Sequence, residues 1–220
     1  MEQRLKLMNQ FKELFVPYKF ALDYLSMTIE HINDEAMHVY DYNPIEHIKT
    51  RLKSPESVIS KLQRKGLPID FISAKEHLSD IVGVRIICSF VSDIYDLHEI
   101  LKSRNDIKIL ECKDYIQNPK PNGYQSLHLI VEVPILLSRG TEYVKAEIQL
   151  RTLGMDFWAS LEHKIFYKYN KDIPERLKNE LYEAANMTIQ LDAKMKAISD
   201  EVGHLESPYS MRAMAALKGK

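Results

Sequence analysis

A mixed α/β (α+β) fold is what this sequence predicts, with a mainly five-stranded sheet and helices flanking it at both ends. Three observations predict it. Apolar, β-branched runs alternate with helix-period segments through the middle of the chain. Two of those runs, 126–133 and 143–151, are joined by a turn near Ser138-Arg139-Gly140, so they form an antiparallel hairpin and the sheet is not purely parallel. Long apolar seams of helical period open and close the chain. At 220 residues it fits one domain or a small pair and can bury a core without disulfides.

Each element has a local reason. Phe15, Tyr18, Leu22, Leu25, Ile29 and Ile32 recur at alternating steps of three and four, one seam of a first helix. Pro17 is expected in its first turn, where a missing N–H leaves nothing unpaired. Asn43-Pro44 allows a short helical turn before the first strand. From His47 to Lys53 the residues alternate. Ile48, Thr50 and Leu52 share one face, and His47, Lys49, Arg51 and Lys53 share a cationic one.

Ser54-Pro55-Glu56 supplies cap, proline and early acid for a helix that ends at Gly66. Ser73-Ala74-Lys75-Glu76 matches a capping box and opens a short helix. Val82–Phe90 is a buried strand, Asp93–Arg104 a helix with Ile94, Leu97 and Leu101 inward, and Ile107–Lys113 a strand. A polar loop from Lys113 to Gln125 leads to the hairpin, and Leu153–Tyr169 is helical. Leu177, Leu181, Ala184, Thr188, Leu191, Met195, Ile198, Val202 and Leu205 form the closing seam. The two seams need partners: the sheet, each other, or further copies of the chain.

The composition excludes several function classes. The chain has seven glycines, none spaced as G-x-G or G-x-x-x-x-G-K, so phosphate chemistry cannot rest on a Rossmann fingerprint or a Walker loop. It needs side-chain cations instead. With 30 Lys+Arg against 31 Asp+Glu the chain is not a bulk nucleic-acid binder. Cys88 and Cys112 have neither metal-ligand spacing nor a secreted framework. The charged N-terminus lacks a signal region, and no apolar run is long enough for a membrane span. A cytoplasmic, reduced, soluble protein is expected.

Four groups can carry chemistry. Arg51 and Lys53 on a strand feed the start of a helix bearing Ser57, Lys61, Arg64 and Lys65, an arrangement that can hold a triphosphate without glycines or simply form a solvated charged face. Asp80 falls where a helix hands over to an apolar strand, a placement suited to Mg²⁺; it can also pair structurally with Arg85. Glu147, Gln149 and Arg151 alternate against apolar residues, as does His128 on the neighbouring strand, so one sheet face can gather a carboxylate, an imidazole and a guanidinium. Asn122-Gly123 makes a tight turn that can present Tyr124 for stacking.

The ordered set Arg51-x-Lys53, Ser57-x-x-x-Lys61, Asp80-x-x-Gly83-x-Arg85, Lys120-Pro121-Asn122-Gly123-Tyr124, His128 and Glu147-Ile148-Gln149-Leu150-Arg151-Thr152 resembles the synthetase domain of the RelA/SpoT alarmone family. The size is similar to its single-domain small alarmone synthetases. The likeness runs from about Pro17 through about Leu205, and is closest from Val144 to Lys168, with Phe157-Trp158-Ala159 and Glu162-His163. It implies a nucleotidyltransferase-like synthetase fold divided into N-terminal helices (1–42), a catalytic core (43–172), a C-terminal helix (173–206) and a tail (207–220).

The resemblance further implies a pyrophosphokinase of the stringent response. ATP would give its β,γ-pyrophosphate to the 3′-hydroxyl of GDP or GTP, yielding ppGpp or pppGpp and AMP. Arg51 and Arg85 would sandwich adenine, and Lys53, Ser57 and Lys61 would hold the ATP phosphates. Asp80 and Glu147 would bind Mg²⁺, with Glu147 activating the hydroxyl. Tyr124 would stack on guanine, beside Lys120, Asn122, His128 and Arg151. A homotetramer is implied. Some relatives bind single-stranded RNA, which the near-neutral charge disfavours here.

Three positions depart from the family pattern. Asp156 lies where many small synthetases carry Asn beside guanine; a carboxylate can still accept from guanine N1–H and the 2-amino group. No His-Asp dipeptide of the family's hydrolase domain occurs, so hydrolysis is not expected. Ser26 and Glu30 stand at the places of regulatory lysines, so product activation there is not expected. The alternatives are a nucleotide- or RNA-binding module and a related-fold nucleotidyltransferase that moves AMP.

Overall fold

The structure is a computed structural model and describes residues 2–166 and 173–206. The chain opens with α1 (Glu2–Tyr40), followed by β1 (Ile45–Leu52), α2 (Pro55–Arg64), α3 (Phe71–His77), β2 (Val82–Cys88) and α4 (Val91–Ser103). It continues through β3 (Lys108–Asp114), β4 (Leu127–Leu137), β5 (Gly140–Thr152), α5 (Leu153–Phe166) and α6 (Glu175–Glu206). The expected tail, 207–220, and the expected helix end at 167–169 lie outside the described residues.

The five strands form one sheet in the order β1-β2-β5-β4-β3. Only β2 and β5 run parallel; β1–β2, β5–β4 and β4–β3 are antiparallel. The β4–β5 hairpin closes tightly, with Leu137 opposite Gly140 and Ser138-Arg139 between them. Gly140 takes a φ of +122°, which a side chain would resist. Both hairpin strands run longer than the sequence alone implied, because the alternation of buried and half-buried residues in β4 continues through Pro134 to Ile135.

One face of the sheet is apolar and carries the core. Tyr18, Leu25 and Ile29 of α1 and Ile94, Leu97 and Leu101 of α4 pack there against Val84, Ile86, Leu129, Val131, Ile148 and Leu150. Burying each Leu or Ile is worth about 1.5–3 kcal/mol, so this layer holds α1 on the sheet. The α1 seam therefore finds its partner within the chain.

Local geometry corrects several sequence expectations. Residues 2–40 form a single helix, with Pro17 in its interior rather than its first turn. The preceding stretch, rich in Glu, Gln, Leu, Lys and Met, consists of strong helix formers and continues the helix across the lost hydrogen bond. No helical turn forms at Asn43-Pro44; β1 follows directly. The cap of α3 is Asp70, whose carboxylate accepts from the Ser73 N–H, not Ser73 itself. In α4 the Asp93 carboxylate accepts from the Phe90 N–H, which starts the helix earlier and ends β2 at Cys88.

The closing seam behaves differently from α1. Against the body, α6 turns Leu181, Ala185, Thr188 and Asp192. The Trp158 indole donates to the Leu181 carbonyl, Ala185 is buried beside Trp158, and the Thr152 hydroxyl donates to Asp192. Leu191, Met195, Ile198 and Val202 of the expected seam stand 57%, 51%, 46% and 45% exposed. The helix is rotated so that much of its apolar stripe finds no cover among the described residues.

Candidate active site

The other sheet face gathers the chemistry, and register explains why. Lys49 of β1 pairs with Arg85 of β2, Arg85 with Gln149 of β5, Gln149 with His128 of β4, and His128 with Lys113 of β3. One row along, Arg51 pairs with Gly83, Gly83 with Glu147, and Glu147 with Ile130. Side chains in register project to the same face, so polar residues from all five strands share one surface. Arg51, Lys53, Asp80, Arg85, Glu147 and Gln149 line an open cleft of about 240 Å³ there.

A larger cavity, about 620 Å³, lies between α1 and α4. Its charged lining is Glu35, Asp93, Asp96 and Glu99, without a cation. That is the wrong sign for a phosphate, so the smaller cationic cleft is the candidate site.

Asp80 sits just before β2, and the backbone of Lys53 is tied to the same place by its N–H bond to the Ile81 carbonyl, 2.8 Å. Lys53 and Lys61 each donate to Asp80 Oδ2 at 2.6 Å. Burial is the largest influence on Asp80 and pushes its carboxyl up. The hydrogen bonds and charges of the two lysines outweigh it and hold the carboxyl below the usual range. The alternative Asp80–Arg85 ion pair does not form; Arg85 turns to Asp156 instead. Ser57 is exposed in the first turn of α2, with its N–H donating to the capping Ser54 Oγ at 3.3 Å. Arg64 and Lys65 are exposed at the far end of α2 and do not line the cleft.

The other half is an ordered chain of hydrogen bonds. Arg151 Nη2 donates to the Tyr124 hydroxyl at 2.7 Å, and that hydroxyl is 2.8 Å from His128 Nε2. His128 Nδ1 is 3.4 Å from Glu147 Oε1, and Gln149 Nε2 donates to Glu147 Oε2 at 3.1 Å. Arginine only donates and a carboxylate only accepts, so the Tyr124 hydroxyl and the His128 ring link a donor, Arg151, at one end to an acceptor, Glu147, at the other. The His128 hydrogen bond is the largest influence on Glu147. It prevails over burial and the Asp80 charge and holds the carboxyl below its usual range. Glu147 is therefore ionised near neutral pH.

Tyr124 is positioned by its loop. Gly123 N–H donates to the Lys120 carbonyl at 2.8 Å, closing the turn, and Gly123 has a φ of +87°. A Cβ there would stand 2.5 Å from Ala185 Cβ of α6. Asn122 Oδ1 accepts from the Tyr124 N–H, and Lys120 Nζ lies 4.8 Å from the ring centroids of both Tyr115 and Tyr124. The Tyr124 ring also meets Trp158 and Tyr115.

Asp156, in the first turn of α5, is buried and accepts from three cations. Lys49 Nζ reaches Oδ2 at 2.8 Å; Arg85 Nη1 and Arg151 Nη1 each reach Oδ1 at 3.1 Å. Burial acts most strongly on this carboxyl and raises it, yet Lys49, Arg85 and Arg151 together leave it below its usual range.

Sequence reasoning left Lys49 out of the site, although it shares the alternation of Arg51 and Lys53. It also missed Tyr115, which no spacing ties to Tyr124. Of the other expected site residues, Arg51, Lys53, Asp80, Arg85 and Glu147 line the cleft and Lys61 reaches it through Asp80, while Lys120, Asn122, Tyr124, His128, Arg151 and Asp156 gather beside it and Ser57 stands exposed in the first turn of α2.

Among the described residues, the buried side-chain atoms left without a hydrogen-bond partner are Asp80 Oδ1, Arg85 Nε and Arg151 Nε. All belong to this site. An unpaired buried donor or acceptor is costly, so a ligand atom within reach of any of the three would be favoured. The unpaired oxygen of ionised Asp80, with Glu147 on the same cleft, fits Mg²⁺. That ion takes one or two carboxylates and completes its shell with water and phosphate oxygens.

Known proteins resemble this chain in both sequence and fold. Residues 50–172 match the family described as "Region found in RelA / SpoT proteins". The chain is 55% identical over 195 residues to the GTP pyrophosphokinase YwaC of Bacillus subtilis, covering 89% of this chain and 93% of that one. The crystal structure of small alarmone synthetase 2 from Bacillus subtilis superposes with a TM-score of 0.77 at 55% identity, covering 86% of this chain and 97% of that one. Small alarmone synthetase 1 from Bacillus subtilis, solved bound to its product pppGpp, gives 0.79 at 38% identity, covering 88% and 98%. In both fold and sequence, this chain belongs to the RelA/SpoT family.

Proposed function

We propose that this protein is a GTP pyrophosphokinase, a small alarmone synthetase that transfers the β,γ-pyrophosphate of ATP to the 3′-hydroxyl of GDP or GTP. The products are AMP and ppGpp or pppGpp, and the role is in the stringent response. One observation carries the reading: two ionised carboxylates, Asp80 and Glu147, share a cleft with Lys53 and Arg85, and Asp80 keeps a buried oxygen unpaired. A pure binding module has little use for two carboxylates facing a phosphate site.

Arg51 and Arg85 hold the adenine between their guanidinium planes; they lie on adjacent strands and line the same cleft. Lys53 and Lys61 carry the triphosphate, exchanging one contact to Asp80 for phosphate oxygens, and Ser57 adds a donor at the start of α2. Asp80 and Glu147 would hold Mg²⁺, which supplies charge neutralisation on the transferring group. Glu147 accepts the proton of the 3′-hydroxyl, and His128 fixes the direction of its carboxylate. Tyr124 stacks on guanine, while Lys120, Asn122, Arg151 and Asp156 surround the acceptor nucleotide.

Assembly into a homotetramer covers the exposed stripe of α6. No helix among the described residues is long and apolar enough to cross a membrane, and we place the enzyme in the cytoplasm. Synthesis without hydrolysis is the expected balance.

The test is product identification. Incubation with ATP, GDP and Mg²⁺ should yield AMP and ppGpp. Release of inorganic pyrophosphate would point instead to nucleotidyl transfer, and binding without turnover to a module.

A further inference from the structure

Asp156 occupies an unusual position between the two nucleotide sides. Its Oδ1 accepts from Arg85 and from Arg151, both at 3.1 Å. Arg85 lines the cleft with Lys53, Asp80 and Glu147. Arg151 donates to the Tyr124 hydroxyl and holds its guanidinium carbon 5.2 Å from the Tyr124 ring centroid. The donor side and the acceptor side are thus tied to a single carboxylate oxygen. The second oxygen is occupied by Lys49.

This arrangement is under tension. Two guanidinium groups of like charge are held side by side and share one acceptor, and each keeps a buried Nε without a partner. Burial and then the Arg151 charge pull the Arg85 guanidinium below its ordinary value. Arg85 is the looser member, with its side chain 34% exposed against 5% for Arg151. A planar, aromatic ligand in the cleft offers Arg85 a stacking face that competes with its half-share of Asp156.

We propose that Asp156 couples the two nucleotide sites: donor binding draws Arg85 away and frees Asp156 Oδ1 to accept from the acceptor base. The coupling rests on the functional reading above, with Arg85 on the ATP side and Arg151 on the GDP or GTP side. Before ATP arrives, the oxygen that would accept a guanine N–H is engaged by Arg85. After Arg85 leaves, Asp156 keeps Lys49 and Arg151 and gains an open lone pair on Oδ1, the oxygen it shares with Arg151. Coupling of binding free energies is reciprocal, so GDP tightens ATP binding by the same factor. Asp156 acts here as a positioning and specificity residue and takes no part in the bond that breaks.

Calorimetry with α,β-methylene ATP, which cannot be cleaved at the transferred bond, tests this on the full chain. GDP should bind the wild type about tenfold more tightly when the analogue is saturating, within the usual range of coupling between sites. Asp156→Asn, which removes the charge that holds Arg85, should reduce that ratio toward one. Arg85→Gln gives a sharper reading. With the oxygen already released, GDP alone should bind severalfold more tightly than to the wild type and should no longer respond to the analogue. A merely structural ion pair predicts the reverse, weaker GDP binding in Arg85→Gln. That result, or equal GDP affinity with and without the analogue in the wild type, overturns the coupling. Failure of the functional reading would look different: no ppGpp from the wild type, or no nucleotide binding at all.

Discussion

His128 Nδ1 lies 3.4 Å from Glu147 Oε1, diagonally across the antiparallel β4–β5 pair, while its other nitrogen meets the Tyr124 hydroxyl at 2.8 Å. The imidazole thus joins the residue expected to stack on guanine to the carboxylate expected to take the hydroxyl proton. Acceptor placement and base orientation become parts of one arrangement.

Glu147→Gln keeps the shape and removes the base. Synthesis of ppGpp should fall by about 10²–10⁴-fold, the usual contribution of a positioned general base, and more if metal binding is lost with it. Binding of α,β-methylene ATP should change by less than about threefold, since Lys53, Lys61 and Arg85 are untouched. Near-normal turnover in this variant would remove Glu147 from the mechanism.

Asp156→Asn should lower stability by about 1–3 kcal/mol at neutral pH, because buried Arg151 loses its charged partner. The carboxyl is depressed in the folded state, so its contribution is fully present above the ordinary carboxylate range, near pH 4, and is lost as pH falls through the lower folded value. The gap between wild type and variant in urea unfolding should therefore shrink as pH falls below the ordinary carboxylate range, about pH 4. A gap that widens on acidification would contradict the assignment.

Gly123→Ala places a methyl group 2.5 Å from Ala185 Cβ and strains a φ of +87°. A loss of about 1–3 kcal/mol is expected, together with a raised KM for GDP, since the same turn presents Tyr124. Adding Ala185→Gly should recover part of the stability, by relieving the contact but not the backbone. Full additivity of the two changes would show that they do not meet.

Leu191→Glu with Ile198→Glu puts charge on the exposed stripe of α6 without touching the edge that faces the body. Analytical ultracentrifugation should show a smaller assembly than the wild type at equal helix content. An unchanged sedimentation coefficient would mean that this stripe is not the contact.

Legibility in the sequence followed distance along the chain. The cationic face of β1 and the Glu147-Gln149-Arg151 face of β5 could be read because a strand alternates with a period of two. The turn at Gly123 could be read because Asn-Gly has a local cause. The Lys49–Asp156 contact could not, because it depends on β2 lying between β1 and β5, and no local pattern specifies a parallel neighbour. The rotation of α6 was lost for a similar reason. Periodicity places apolar residues on one stripe, but Gly123 and Gly154, where a Cβ would meet Ala185, Thr188 and Asp192, decide which edge lies against the body.

The parallel pairing of β2 with β5, in which Val82 lies opposite Ala146, has a consequence for synthesis of the chain itself. Arg51, Lys53, Asp80 and Arg85 emerge from the ribosome well before Glu147, yet β2 gains its inner neighbour only when β5 arrives. Such long-range closure is slow compared with hairpin formation, so β4–β5 should zip first and then capture β2. Nucleotide grip is thus expected only once β5, which ends at Thr152, has been made. A chain ending before Val144 should neither bind α,β-methylene ATP nor show cooperative unfolding, and calorimetry with denaturant titration would reveal either.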